Sequence, residues 1–380
     1  CSLTDNLGTS DDNRAIALYH SNNAILINNT AISNSNYALA IISSSNNTFI
    51  NTSAISESGR GMYILSSNNN NFVNSSGRTY GYDYSISLFS SFNNTFTNSS
   101  GINEYGKGVY LRESSDNIFV NHISITSGYA ISINSSNNTL FKDCINISGR
   151  DYHVYYASNP GRSINNTFIN CSYDLISNAS KESINGGGNE LIRKWYYQAY
   201  VNNTGGSPLS NANISAYNTT GQLQFTTQTN SSGYIPRQEV TEYVNRGGTR
   251  SYYNNYTIDA TLSGYGTDSN IFNFTTTQNK LNDVFTLGRE FADILSPTIT
   301  FQEPPTPTNA STVYFPNQSI VANISDNSST SSWIDFDRSL VGYWSMDYYN
   351  ATGIIDNSTY NNLATFYGGI NGANTLPGAR

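Results

Sequence analysis

The sequence predicts an all-β chain: a right-handed parallel β-helix of about 7–8 coils, followed by β-sandwich domains. Three observations lead there. A unit of 22–24 residues recurs through the first half. Within each unit apolar residues alternate with the period of a strand. The units are joined by turns built from Ser and Asn.

The repeats begin at Ala15, Ala38, Gly61, Ser85, Gly108, Ala130 and His153, with spacings of 23, 23, 24, 23, 22 and 23 residues. Each reads as a short strand, a Ser/Asn turn and a second strand such as NTFIN. One inward column is Ile16, Leu39, Met62, Ile86, Val109, Ile131 and Val154, and a second stands two residues on, from Leu18 to Tyr156. A helical solenoid is excluded by that two-residue step. A third column is Phe49, Phe72, Phe96, Phe119 and Phe168, with Leu140 in the sixth coil and a one-residue slip in the first. Seven coils at the strand spacing make a rod about 34 Å long. The turn column Asn46, Asn69, Asn93, Asp116 and Asn165 suits an asparagine ladder, because stacked amides bond to one another and Asn tolerates a left-handed corner. An open β-helix needs its end coils covered, by the next module or by a neighbouring copy.

From Trp195 the pattern changes to single strands divided by turns: YYQAYV, NISAY, LQFTTQT and YTIDATL, separated by Gly205-Gly206-Ser207-Pro208, Thr220-Gly221 and Ser232-Gly233. Such spacing implies a sandwich. The expected division is 1–190 β-helix, 191–290 sandwich, 291–337 a short immunoglobulin-like or linker segment and 338–380 the start of a jelly roll.

The units SSNNTFIN, SINSSNNTLFKDC and SINNTFINC resemble the parallel β-helix repeats of NosD-like proteins and of many archaeal surface proteins. SPLSNANISAYNTTGQLQFTTQTNSSGYI resembles the transthyretin-like or carboxypeptidase-regulatory-like module, which implies a rigid spacer. SLVGYWSMDYYNATGIIDNSTYNNLATFYGGI resembles the start of a concanavalin A-like, laminin-G-like jelly roll through Trp344, Asp347, Asp356, Ser358 and Asn362. Cys1 is expected not to be a natural start, since CSLTDN would fit just after a second strand; a lipid-anchored cysteine is the alternative. The chain reads as cut at both ends.

Of the 380 residues only 12% are charged, yet mean hydropathy is −0.42, so the polarity is that of Asn, Ser, Thr and Tyr. The 13% aromatic content argues against disorder. A net charge of −8 disfavours nucleic acid. No apolar run is long enough to span a bilayer. The three cysteines show no paired zinc spacing, and Cys144 and Cys171 occupy similar places in successive coils, within reach of a disulfide. No cofactor is expected.

Asn-X-Ser/Thr sequons number 24. They begin at Asn28, Asn46, Asn51, Asn74, Asn93, Asn98, Asn134, Asn137, Asn146, Asn165, Asn170 and Asn178 in the β-helix. Asn202, Asn213, Asn218, Asn230, Asn255 and Asn273 follow in the sandwich, and Asn309, Asn317, Asn323, Asn327, Asn350 and Asn357 in the tail. An Asn/Ser/Thr-rich repeat makes sequons by chance, but those outside the repeat point to glycosylation of a secreted chain. Polysaccharide cleavage needs a carboxylate pair, or acids holding calcium beside a basic residue. The best cluster is Arg112-Glu113 with Asp116, and Lys142-Asp143 and Arg150-Asp151 lie one or two coils on; Arg112 and Glu113 directly follow a strand and read instead as a solvated turn. His20, His122 and His153 fall at different phases of the repeat. Sugar stacking is the remaining chemistry, with Tyr80, Tyr82, Tyr110, Tyr155 and Tyr156 as candidates, although Tyr156 reads as core. The expectation is a non-enzymatic, glycosylated structural protein of the cell surface. Its partners would be copies of itself or neighbouring envelope proteins; the alternatives are a glycan-binding adhesin and, behind it, a polysaccharide lyase or hydrolase on a β-helix scaffold.

Overall fold

In the computed structural model, residues 2–157, 161–173, 181–289, 298–302, 322–325, 344–349, 353–356 and 363–365 are described. The first unit spans Cys1–Glu290 and the second Phe291–Arg380.

The first half is a parallel β-helix. Each coil gives one strand to each of three sheets, as in Ile16–Tyr19, Ile25–Ile27 and Thr30–Ser33 of the first repeat. The sheet built on Ile16–Tyr19 has eight strands, all paired parallel. The expected inward columns of that sheet pair in register, for example Ile86↔Met62 and Leu88↔Ile64.

The phenylalanines also stack, with two corrections. Phe141, not Leu140, stands between Phe119 and Phe168. Leu140 pairs with Ile118 and faces partly outward. The first coil does not slip, because Leu26 pairs directly with Phe49. Rings from Phe49 to Phe168 lie 4.4–4.7 Å apart and within 9° of parallel. That separation is close to the strand spacing itself, so every ring is held by the rise of the backbone.

The third sheet, from Leu7–Ser10 to Asn146–Gly149, was not visible in the sequence. One inward column is small along most of its length, Ala31, Ala54, Gly77, Gly101 and Ser124, and ends in Ile147. Space dictates them, since a Cβ on Gly77 would lie 2.2 Å from the Ser85 carbonyl oxygen.

Two asparagine ladders bind the corners. The left-handed corner residues are those expected, with Asn46, Asn69, Asn93, Asp116 and Asn165 at φ of 55–59°. The buried amide ladder, however, is one residue on. Asn47, Asn70, Asn94 and Asn117 are shielded from solvent, and each of the first three donates its Nδ2 to the Oδ1 of the next at 3.0–3.2 Å. Each Oδ1 also accepts a main-chain N–H from the coil before, as Asn94 does from Asn70 at 2.9 Å. A parallel serine column, Ser44, Ser67, Ser91 and Ser114, does the same for its own corner. Main-chain groups that the turns leave unpaired are satisfied in this way without water.

A 14-residue strand, Glu190–Asn203, ends the β-helix and begins the sandwich. It pairs parallel with Asn166–Ile169 of the preceding coil, antiparallel with Gln238–Arg246, and parallel with Lys280–Leu287. Asn213–Tyr217, Leu223–Gln228, Tyr256–Thr261 and Asp268–Phe272 form the facing sheet. Trp195, Tyr197, Ile214, Ile258 and Phe285 share the core between them. Tyr243 of the sandwich packs in the β-helix core, so the sandwich covers that end of the helix. In the second unit, Thr298–Phe301 pairs antiparallel with Ala322–Ser325. Trp344 and Asp347 lie in Trp344–Tyr349 and Asp356 in Gly353–Asp356, which pair antiparallel; Ser358 and Asn362 lie outside the described residues.

Candidate binding face

The outward surface of the eight-stranded sheet carries an extended array of cations and tyrosines, whereas the outward faces of the other two sheets show such contacts singly, as Arg78 with Tyr80 and Lys142 with Tyr196. Where the chain turns into this sheet, the small residues Ala15, Ala38, Gly61, Ser85, Gly108 and Ala130 face inward. A Cβ on Gly108 would lie 2.0 Å from Ser124 Oγ, which shows how tight that corner is. The residue before each of them is therefore turned outward. Those residues form the column Arg14, Tyr37, Arg60, Tyr84, Lys107, Tyr129 and Tyr152. Cation and tyrosine alternate until the last step. The next outward column is Ala17, Ala40, Tyr63, Ser87, Tyr110, Ser132 and Tyr155, in which small residue and tyrosine alternate from Ala40 on. From Tyr37 to Tyr129 the two alternations are locked together: the coils of Arg60 and Lys107 carry Tyr63 and Tyr110 at the second position, and those of Tyr37, Tyr84 and Tyr129 carry Ala or Ser, whereas the Arg14 coil carries Ala17. The result is a checkerboard with a period of two coils.

Packing follows from it. Tyr37 meets Tyr63 at 4.4 Å, Tyr84 meets Tyr110 at 4.5 Å and Tyr129 meets Tyr155 at 4.6 Å. Phe89 joins Tyr63 and Tyr110, each at 5.5 Å. The Arg60 guanidinium lies 4.8 Å from the rings of Tyr63 and Phe89 and 5.0 Å from that of Tyr84. It is also paired with Asp83 at 3.0 Å. The Lys107 ammonium lies 4.3 Å from Tyr110, 5.2 Å from Tyr84 and 5.7 Å from Tyr129. Burial under these rings pulls Lys107 down to about 8, against a smaller opposing pull from Asp83. Burial likewise raises the Tyr63, Tyr84 and Tyr129 phenols above the usual range.

Of the aromatics singled out from the sequence, Tyr110 and Tyr155 lie on this face. Tyr156 is in the core, while Tyr82 is exposed on a loop against Tyr105 and Tyr80 sits under Arg78. Tyr37, Tyr63, Tyr84 and Tyr129 were missed; the signal that finds them is comparison of every second repeat.

The remaining candidates fall elsewhere. Arg112–Glu113 and Arg150–Asp151 are exposed pairs at 3.3 and 3.7 Å. Asp116 accepts from Asn138, and Asp143 accepts from Asn170 and Tyr196. His20 is exposed and His122 is buried with its Nδ1 2.9 Å from Ser99 Oγ. Among the described residues no three His, Cys, Asp or Glu converge to hold a metal. Cys144 and Cys171 form a disulfide across adjacent coils, with Cα atoms 4.6 Å apart.

The sequons divide into two kinds. Asn28, Asn51, Asn74 and Asn98 build an exposed ladder that starts on Asp5, each amide nitrogen donating to the residue one coil before at 2.9–3.2 Å. Asn165 and Asn170 donate to Asn138 and Asp143. Asn134 and Asn218 are buried, and Asn137, Asn202 and Asn213 are half-buried with Oδ1 accepting. Asn46, Asn93, Asn146, Asn230, Asn255, Asn273 and Asn323 are exposed, and their amide nitrogens donate to no side chain or carbonyl among the described residues. Asn178, Asn309, Asn317, Asn327, Asn350 and Asn357 lie outside the described residues.

No family model and no curated protein matches the chain. Among solved structures it is similar to full-length tailspike protein 2 from an Escherichia coli O157:H7 bacteriophage, at 8% identity and a TM-score of 0.35, over 73% of this chain and 50% of that one. It is also similar to the major pilin subunit of Bacillus cereus, at 14% identity and a TM-score of 0.19, over 29% of this chain and 31% of that one. The Bacillus anthracis TIE protein matches at 18% identity and a TM-score of 0.19, over 28% and 19%. The chain thus spans half or less of each.

Proposed function

We propose that this chain is a glycosylated structural protein of the cell surface, a component of an envelope layer or filament whose partners are further copies or neighbouring envelope proteins. The observation that carries the reading is the strand Glu190–Asn203, which pairs at once with the last coil and with two sandwich strands. A bend or pull on the β-helix passes into the sandwich through main-chain hydrogen bonds, as a load-bearing element requires. The Cys144–Cys171 bond ties adjacent coils close to that junction, and such bonds persist in oxidising exteriors.

Glycan belongs on the asparagines whose amide nitrogen is open to solvent: Asn46, Asn93, Asn146, Asn230, Asn255, Asn273 and Asn323. The ladder of Asn28, Asn51, Asn74 and Asn98 suits it poorly. Its amides are engaged, and a rise of about 4.8 Å per coil leaves no room for a sugar on every rung. Asn46 and Asn93 stand two coils apart in their column.

Two measurements on the native protein test this. Labelling of intact cells with a membrane-impermeant reagent is expected to mark the chain. Glycopeptide mass spectrometry is expected to find sugar on the open asparagines and none on the ladder. An unlabelled, intracellular chain with bare asparagines throughout overturns the reading.

A further inference from the structure

The first outward column places Arg14, Arg60 and Lys107 two coils apart, roughly 9–10 Å from one to the next. Tyrosine rings lie between them. Two of these cations lack a carboxylate at salt-bridge distance among the described residues. The Arg14 Nε is buried with no hydrogen-bond partner. The Lys107 ammonium lies against the faces of Tyr84, Tyr110 and Tyr129, with Asp83 attracting it from beyond salt-bridge distance. A desolvated cation without a salt-bridge partner is stabilised by any anion that reaches it. On a chain of net charge −8, a stripe of regularly spaced cations, of which only Arg60 has a carboxylate at salt-bridge distance among the described residues, is a local inversion of sign.

We infer that this face binds a linear acidic polysaccharide laid along the helix axis, its carboxylates on Arg14 and Lys107 and its sugar rings on the intervening tyrosines. An extended pyranose chain advances per ring by about as much as the β-helix advances per coil. A polymer with one acid per disaccharide therefore presents its charges at the period of the cations. A neutral glycan would leave those cations unmet. A peptide strand would need an open sheet edge, whereas this surface is a sheet face. The inference stands apart from the surface role proposed above, because it is read on purified protein.

The test is calorimetry on the full chain with oligosaccharides of hyaluronan, polygalacturonate and alginate, and with carboxyl-reduced hyaluronan. Binding to at least one acidic polymer is expected, weakening as salt rises, with none to the reduced form. Arg14→Met and Lys107→Met are each expected to weaken binding by about fivefold, and together to abolish it. Far-UV circular dichroism and the melting temperature check that these outward variants stay folded. No binding to any acidic polymer overturns the inference. So does equal binding of reduced hyaluronan, which would mark a neutral-glycan face, and so does undiminished binding by the double variant. Self-association that is lost in the double variant, with no glycan bound, would assign the face to a second copy instead.

Discussion

The buried amide ladder gives the sharpest expectation for stability. Asn94 is fully buried, and its Oδ1 accepts from the main-chain nitrogen and the Nδ2 of Asn70 at 2.9 and 3.0 Å. Its Nδ2 donates to the Ser67 carbonyl at 3.0 Å and to Asn117 Oδ1 at 3.2 Å. Asn94→Ala strands the Asn70 N–H and the Ser67 carbonyl in a dry corner. Each unsatisfied buried group costs about 1–3 kcal/mol, so a loss of about 2–6 kcal/mol is expected. Asn94→Asp is expected to be worse at neutral pH. It sets a carboxylate against two oxygens that need a donor, and it buries a charge. Acid should narrow the gap, because a protonated carboxyl again has one hydrogen to give. The outward Asn74→Ala, whose partners face water, is the control and should lose about 1 kcal/mol or less. The assay is guanidinium unfolding followed by circular dichroism, with hydrogen exchange of the Asn70 amide as the local readout. An Asn94→Ala loss below about 1 kcal/mol, or Asp no worse than Ala at pH 7, would refute the ladder argument.

Three further outcomes are expected. Phe96→Ala removes a ring held between Phe72 and Phe119 at 4.4 and 4.6 Å and should cost about 3–5 kcal/mol in the same unfolding assay; a cost under about 1 kcal/mol would mean the stack is not tight. His122 is held near 3 by burial, so between its unfolded value of about 6.5 and pH 3 the unfolded chain binds a proton that the folded chain refuses. Stability should fall as pH drops through that window, more steeply than in His122→Asn; equal slopes would show that His122 does not stay neutral. Replacing both Cys144 and Cys171 by Ala opens a loop of 27 residues, and loop entropy sets the loss at about 3–4 kcal/mol; unchanged denaturation midpoints with and without reductant would exclude the bond from the folded protein.

The inward columns were legible because the β-helix repeats its apolar residues at a fixed interval, and Ile86, Leu88 and Phe96 fall where that interval puts them. Leu140 and Phe141 are adjacent and both apolar, so only the pairing of Phe141 with Phe119 decides between them. Runs such as Asn68 to Asn71 hide which amide is inside, since neighbouring asparagines differ only in direction. The third sheet left no trace because Ala31, Gly77 and Ser124 fill their column by being small, not by being apolar. The binding face was hidden for a different reason. Arg14, Arg60 and Lys107 recur at 46 and 47 residues, twice the interval that aligns one coil with the next. Pairing each coil with its immediate neighbour sets Arg60 beside Tyr37, and the alternation looks like noise.

That doubled interval limits how the protein can change length. A solenoid ordinarily tolerates gain or loss of one unit, since each coil contacts only its neighbours. Here the core would accept a single inserted coil anywhere between Tyr37 and Tyr129, for the inward residues are interchangeable. The outward surface would not. One extra coil would set cation against cation or leave two tyrosines at the same level, and every rung beyond it would be out of phase. Insertions and deletions that keep the face intact must come in pairs, so the heritable unit of this β-helix is two coils even though its structural unit is one.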